Sequence, residues 1–229
     1  GEATGAFLVG GLTSSRGAHP QVAGVMTAGG VSGVMFEPDV TVATGLSQGC
    51  SPIGPVHEVT ECQDNIVIAL DERPALEVLR DDIGEILARD LKRIGGYIYV
   101  AFPVSGADRP DYLVRNLVAI DPSADVFAVG AEVQEGDTIM FCRRDGQAAH
   151  LDLTRMLEDL VRRVGDAKPR GGIYHSCLAR GPNLFGPNSA ELKTMQETLG
   201  DVPIVGMFCN GEISHQRLYS YTGVLSLFL

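Results

Sequence analysis

A mixed α/β fold, strand-rich in its N-terminal third and built from repeated β-α-β units in its C-terminal part, is predicted by three features of the 229-residue chain. Short apolar runs bounded by Gly, Pro and Asn dominate the first third. A run of apolar residues at three- and four-residue spacing begins after Arg73-Pro74. From there, strand-length and helix-length patterns alternate to the C-terminus.

Residues 7–12 and 34–46 read as strands separated by a Gly-rich polar segment. Residues 56–62 and 66–70 read as a hairpin turned at Gln63-Asp64-Asn65. Arg73-Pro74 then opens a helix, because Pro fits the first helical turn. Leu76, Leu79, Ile83, Ile86, Leu87, Leu91 and Ile94 recur at helical spacing until Gly95-Gly96. This change of pattern divides the chain into a strand-rich segment, 1–72, and an alternating segment, 73–229. Residues 97–102, 117–120, 126–130 and 138–144 follow as strands, with a mobile loop expected over 107–111.

After the strand at 138–144, Asp152 is placed as an N-cap, and Leu153, Met156, Leu157, Leu160, Val161 and Val164 repeat at helical spacing before Gly165. Two further apolar runs, 173–178 and 204–209, bracket a shorter helix. Asn188 serves as its N-cap, Glu191 completes a capping-box spacing, Leu192, Met195 and Leu199 share a face, and Gly200 ends it. The pattern β-α-β-α-β therefore runs from about 138 to 209. If the three strands are parallel, the regions after Cys142, Cys177 and Cys209 open on one edge, where ligands of open α/β sheets bind.

Each of the last two strands ends in a polar cluster, His175-Ser176-Cys177-Leu178-Ala179-Arg180-Gly181 and Cys209-Asn210-Gly211-Glu212-Ile213-Ser214-His215. Arg180 and Glu212 are the leading ligand-binding candidates. A guanidinium clamps a carboxylate with two hydrogen bonds, a carboxylate receives an ammonium group, and Gly181 and Gly211 let backbone approach a ligand. Cys177 and Asn210 complete the candidate set, Asn210 carrying both donor and acceptor. Opposite charges at one mouth suit an amphoteric small molecule; the alternative is an Arg180–Glu212 salt bridge closing the crevice.

The run Tyr174–Gly181, the run Val205-Gly206-Met207-Phe208-Cys209-Asn210-Gly211-Glu212-Ile213-Ser214 and the closing Tyr221-Thr222-Gly223-Val224-Leu225 resemble the C-terminal part of the FIST family of sensory domains. Gln48-Gly49-Cys50-Ser51-Pro52-Ile53-Gly54-Pro55, Val59-Thr60 and Leu70-Asp71-Glu72-Arg73-Pro74-Ala75-Leu76-Glu77-Val78-Leu79 resemble the end of that family's N-terminal segment and the junction after it. The resemblance covers nearly the whole chain. It implies an intracellular small-ligand sensor in signal transduction, with amino acids or their derivatives as ligands; because nothing in the chain resembles a kinase, cyclase or DNA-binding output domain, a sensor needs a separate signalling output protein as partner. It brings no catalytic residues. The chain starts without Met inside the resembling segment, so an upstream part of the family's region, with any pocket wall it supplies, is expected to be missing.

Composition narrows the function further. The net charge of −11 disfavours nucleic acid and anionic membrane as partners, since phosphate binding needs clustered Lys and Arg. No apolar stretch reaches spanning length, and these residues hold no signal-peptide or lipidation pattern, as would also be true after processing of such a segment. Cys50, Cys62, Cys142, Cys177 and Cys209, odd in number and scattered, read as reduced thiols of a cytoplasmic protein.

Catalytic and cofactor patterns are weak. Gly45-Leu46-Ser47-Gln48-Gly49 matches the nucleophile-elbow string, but Pro52 and Pro55 oppose the helix an elbow needs. No phosphate-cradling or dinucleotide fingerprint occurs, so no cofactor is expected. Without a Cys-x-x-Cys or His-x-x-x-His pair, no metal site is expected either. The expectation is thus a non-catalytic ligand sensor; the alternatives are a thiol-dependent hydrolase or transferase using Cys177 with His175 or His215, and a pure protein-interaction module.

Overall fold

The computed structural model describes residues 5–104 and 111–229, so residues 107–110 of the expected loop lie outside the described residues. The fold is mixed α/β, as its sequence pattern predicts, and divides into two compact units, Gly1–Gly49 with Ala149–Leu229, and Cys50–Ala148. These units are cut differently from the sequence segments 1–72 and 73–229.

The first unit opens with β1 (Val9–Gly11), β2 (Pro20–Ala23), β3 (Val25–Ala28) and β4 (Val42–Ser47). The strand expected over 34–46 is therefore confined to its last part, and the β2–β3 hairpin was not anticipated. Its turn is set by Gly24, whose φ of +78° favours glycine.

The second unit is a closed antiparallel barrel. Its elements are β5 (Cys50–Gln63), β6 (Ile66–Leu70), β7 (Arg73–Pro74), α1 (Ala75–Ala88), β8 (Ile98–Pro103), β9 (Tyr112–Asp121), β10 (Val126–Val129) and β11 (Thr138–Arg144). The order β10-β9-β8-β11-β5-β6 closes because β10 also pairs with β6, which removes free edges. Pro52 and Pro55 fit β5 because its first part pairs with β11 alone, β6 joining only from Val59. The expected hairpin at 63–65 is present, with Asp64 at φ +53°.

Helix α1 places Leu76, Val78, Leu79 and Ile83 in the barrel's apolar cluster with Phe127, Ile139 and Phe141. Gly84 (φ 75°, ψ 163°) interrupts the helix and changes its phase, which leaves Ile86 on the solvent side against expectation. His57 of β5 is held between two carboxylates, Nδ1 2.6 Å from Asp71 Oδ2 and Nε2 3.0 Å from Asp82 Oδ2. Burial pulls its pKa down, but the two carboxylates together raise it above the ordinary value.

Helix α2 (Gly146–Val164) leads back to the first unit and starts earlier than expected: Asp145, not Asp152, accepts from the Ala148 amide. Asp152 lies inside the helix and accepts from the Gln48 backbone N–H at 2.7 Å. The rest is β12 (Gly171–Cys177), α3 (Pro182–Phe185), α4 (Ala190–Leu199), β13 (Ile204–Cys209), β14 (Glu212–Ser214), β15 (Arg217–Tyr219) and β16 (Gly223–Phe228).

One sheet of this unit runs β13-β12-β16-β4 and another β1-β14-β15. Strands β12 and β13 are adjacent and parallel, Gly172 opposite Ile204 through Cys177 opposite Cys209, as the β-α-β reading requires. The upstream half of that reading is corrected. Strand β11 pairs antiparallel with β5 and β8 in the barrel, so Cys142 does not share the edge of Cys177 and Cys209. On the first unit's sheet, Leu153, Met156, Leu157 and Leu160 of α2 and Met195 of α4 pack with Tyr174, Leu225 and Leu227 into one core.

Candidate functional site

The parallel register sends Tyr174 and Ser176 of β12 to the same face as Ile204, Gly206 and Phe208 of β13, and α4 lies over that face. The helix does not begin as its sequence suggests. Asn188 and Ser189 both have left-handed φ, at 62° and 55°, Ser189 is the N-cap, and neither serves as the expected side-chain cap. Glu191 consequently is no capping-box partner; it points inward with Thr194 and Met195 while Leu192 is half exposed.

The buried Glu191 carboxylate organises a polar network. Its Oε1 accepts from Tyr174 Oη at 2.5 Å and from Arg180 Nε at 2.7 Å; its Oε2 has a long contact from Ser176 Oγ at 3.5 Å. Arg180, only 1% exposed, also donates from Nη1 to the Ser47 carbonyl at 3.3 Å and from Nη2 to Ser47 Oγ at 3.2 Å. Its guanidinium carbon lies 4.7 Å from the centre of the Phe185 ring. Burial raises the Tyr174 phenol above its ordinary range, so it remains a donor.

Beside this network a cavity of about 160 Å³, open to solvent, lies between α4 and β13. Tyr174, Ser176 and Glu191 give it a polar floor, and Leu192, Ile204, Met207 and Phe208 give apolar walls. Gly206 lies at the wall where a Cβ would sit 2.1 Å from the Tyr174 carbonyl oxygen, so no side chain fits there without backbone movement.

The six sequence candidates surround the ends of β12 and β13. The Arg180 amide donates to the Cys177 carbonyl at 2.9 Å, turning the chain, and Gly181 (φ +61°) lies where a Cβ would be 3.2 Å from the Phe208 ring. Asn210 is exposed, while Gly211 and Glu212 are buried. Arg180 and Glu212 both follow the same ends of the parallel pair, yet their partners differ. The ion pair of Arg180 is with Glu191. Glu212 Oε2 accepts from Thr222 Oγ1 at 2.8 Å and from the Thr222 amide at 3.2 Å.

Glu212 Oε1 is buried without a hydrogen-bond partner among the described residues. Burial raises this carboxyl to about 7, against the opposing pull of Thr222, Gly211 and Arg180. The Cys177 thiol is pushed up by burial and then by Glu212, and Cys209 is pushed up to about 11 by burial, Glu212 and Cys177. Burial lowers His175, keeping its ring neutral at pH 7, and the His215 ring lies 5.1 Å from that of Phe7. No helix follows Ser47, which ends β4 and supports Arg180. Among the described residues no cluster of His, Cys, Asp and Glu has the arrangement to hold a metal ion, and no helix is long and apolar enough to cross a membrane.

Sequence reasoning missed Glu191, Tyr174, Ser176 and Ser47. The available sign was the four-residue spacing of Glu191 and Met195, which puts a carboxylate on the buried stripe of α4.

Comparison with known proteins gives two family matches, the FIST N domain over residues 1–73 and the FIST C domain over residues 75–215. An uncharacterized protein of Mycobacterium tuberculosis is 32% identical over 197 residues, covering 80% of this chain and 50% of that protein. One of Mycobacterium bovis is 31% identical over 214 residues, covering 90% and 54%. An F-box/LRR-repeat protein of Arabidopsis thaliana is 25% identical over 148 residues, covering 60% and 28%. The chain thus spans about half the length of the mycobacterial relatives it matches.

Proposed function

Because the chain belongs to the FIST family, a sensory domain of signalling proteins, we propose that it binds a small polar or amphoteric molecule, an amino acid or a derivative of one, reversibly and without chemistry. The site is the cavity between α4 and β13, and a separate output protein in the cytoplasm reads its occupancy. The observation that carries this reading is the cavity itself: about 160 Å³, apolar walls, and a floor where a buried carboxylate is fixed by a buried guanidinium. Apolar walls around a few fixed polar groups are the surface mixture of a small-ligand site, and the modest volume restricts the occupant to a small molecule. Arg180, with all three nitrogens engaged, acts by holding Glu191 in place. The raised pKa of Cys177 supports binding without catalysis, since a nucleophilic thiol needs the opposite shift.

Thermal melting of the chain against the common amino acids and their derivatives tests the reading. Ligand at one hundred times its dissociation constant stabilises the native state by about 2.7 kcal/mol, a midpoint rise of roughly 5–10 °C for a chain of this size. Leu192→Trp, a substitution at a half-exposed cavity wall, should leave the ligand-free midpoint nearly unchanged and remove the shift. A shift that survives intact in Leu192→Trp would move the ligand to another site.

A further inference from the structure

Resting on this reading of the cavity, we infer that the group recognised at its floor is a protonated primary amine, received by Glu191 Oε2 and Ser176 Oγ, with a short apolar substituent against Ile204, Met207 and Phe208.

The inference follows from which hydrogen-bonding positions remain open. Tyr174 spends its proton on Glu191 Oε1, and Arg180 spends Nε on the same oxygen and its other nitrogens on Ser47. The second carboxylate oxygen keeps only the 3.5 Å contact from Ser176, longer than an ordinary hydroxyl–carboxylate bond. What the floor offers a ligand is therefore chiefly acceptors, Glu191 Oε2 and Ser176 Oγ. An ammonium group is three donors with no acceptor, whereas a carboxylate would find one hydroxyl donor, Ser176, beside the Glu191 carboxylate that repels a second negative charge.

Two further facts agree. Among the described residues, those lining the cavity include no Lys, Arg or His to receive an anion. The chain carries a net charge of −11, a long-range field that concentrates cations and repels anions. An amino acid is then held by its ammonium end, with its carboxylate directed to the open mouth.

A matched series tests this by calorimetric titration of the purified chain: leucine, 3-methylbutylamine, 3-methylbutanol and N-acetylleucine. Leucine and the amine should bind, the alcohol and N-acetylleucine about tenfold or more weakly, the loss of one charge-assisted hydrogen bond. Ser176→Ala removes one acceptor and leaves the Arg180–Glu191 pair intact, so it should weaken the amine about fivefold without changing the fold. If N-acetylleucine binds as well as leucine while the amine does not, the inference is overturned and the proposed sensor function stands. If no free amino acid or derivative binds at all, the proposed function falls and this inference with it.

Discussion

At the residue scale, the Arg180–Glu191 pair is the group on which the first unit's polar interior depends. Both side chains are almost wholly out of water, so removing either strands the other. Such a loss costs about 3–5 kcal/mol. Arg180→Ala and Glu191→Ala should each lower stability by that order in urea unfolding, and the double variant should lose much less than the sum of the two. Additive losses would mean the charges act independently. Glu212 gives a second expectation, in pH. Its folded pKa of about 7 lies above its ordinary value of 4.5, so the stability linked to its protonated form is fully present below 4.5 and is lost as pH rises through 7. Glu212→Gln should match the wild type near pH 5 and exceed it at pH 8. Parallel stability profiles for the two proteins from pH 5 to 8 would contradict a buried, readily protonated Glu212.

At the element scale, the β12–α4–β13 unit was legible in the sequence because its strands are short apolar runs with a helix between them. The entry into α4 was not. Sequence spacing favours Asn188 and Glu191 as a reciprocal cap, but the left-handed backbone at Asn188 and Ser189 rotates the helix so that Glu191 meets the sheet. Close passage of β13 along β12 explains Gly206. Gly206→Ala places a Cβ 2.1 Å from the Tyr174 carbonyl oxygen, an obstacle made of backbone and not of a flexible side chain. A loss of about 1–3 kcal/mol or more is expected in thermal or urea unfolding, the usual cost of overpacking. An unchanged midpoint would show that the two strands separate readily at this point.

At the scale of the whole molecule, the barrel unit is contiguous in sequence, and its ends meet, Cys50 lying opposite Arg144 on neighbouring strands. A closed sheet with its own apolar core and adjacent ends has the anatomy of an independent folding unit. The fragment Cys50–Ala148, expressed alone, should be monomeric and unfold in a single cooperative transition, as about 100 residues suffice for such a core. A fragment with strand-type circular dichroism but no cooperative melt would show that the barrel needs the remainder of the chain. The first unit, by contrast, is assembled from both ends of the chain: β4 completes the sheet of β12, β13 and β16, and β1 pairs with β14.

Local pattern determined the class of fold, the bounds of β11 and β13, the hairpin of β5 and β6, the parallel unit at the C-terminus and the motifs that carry the family. These rest on periodicity, turn chemistry and short strings, which are properties of neighbouring residues. Tertiary structure alone decided which sheet each strand joins, that β10 returns to β6 to close a barrel, and that Arg180 pairs with Glu191 instead of Glu212. Those outcomes depend on partners far apart in sequence, such as Ser47 with Arg180, and on the energetic need of a buried charge for a counter-charge and hydrogen bonds wherever the fold supplies them.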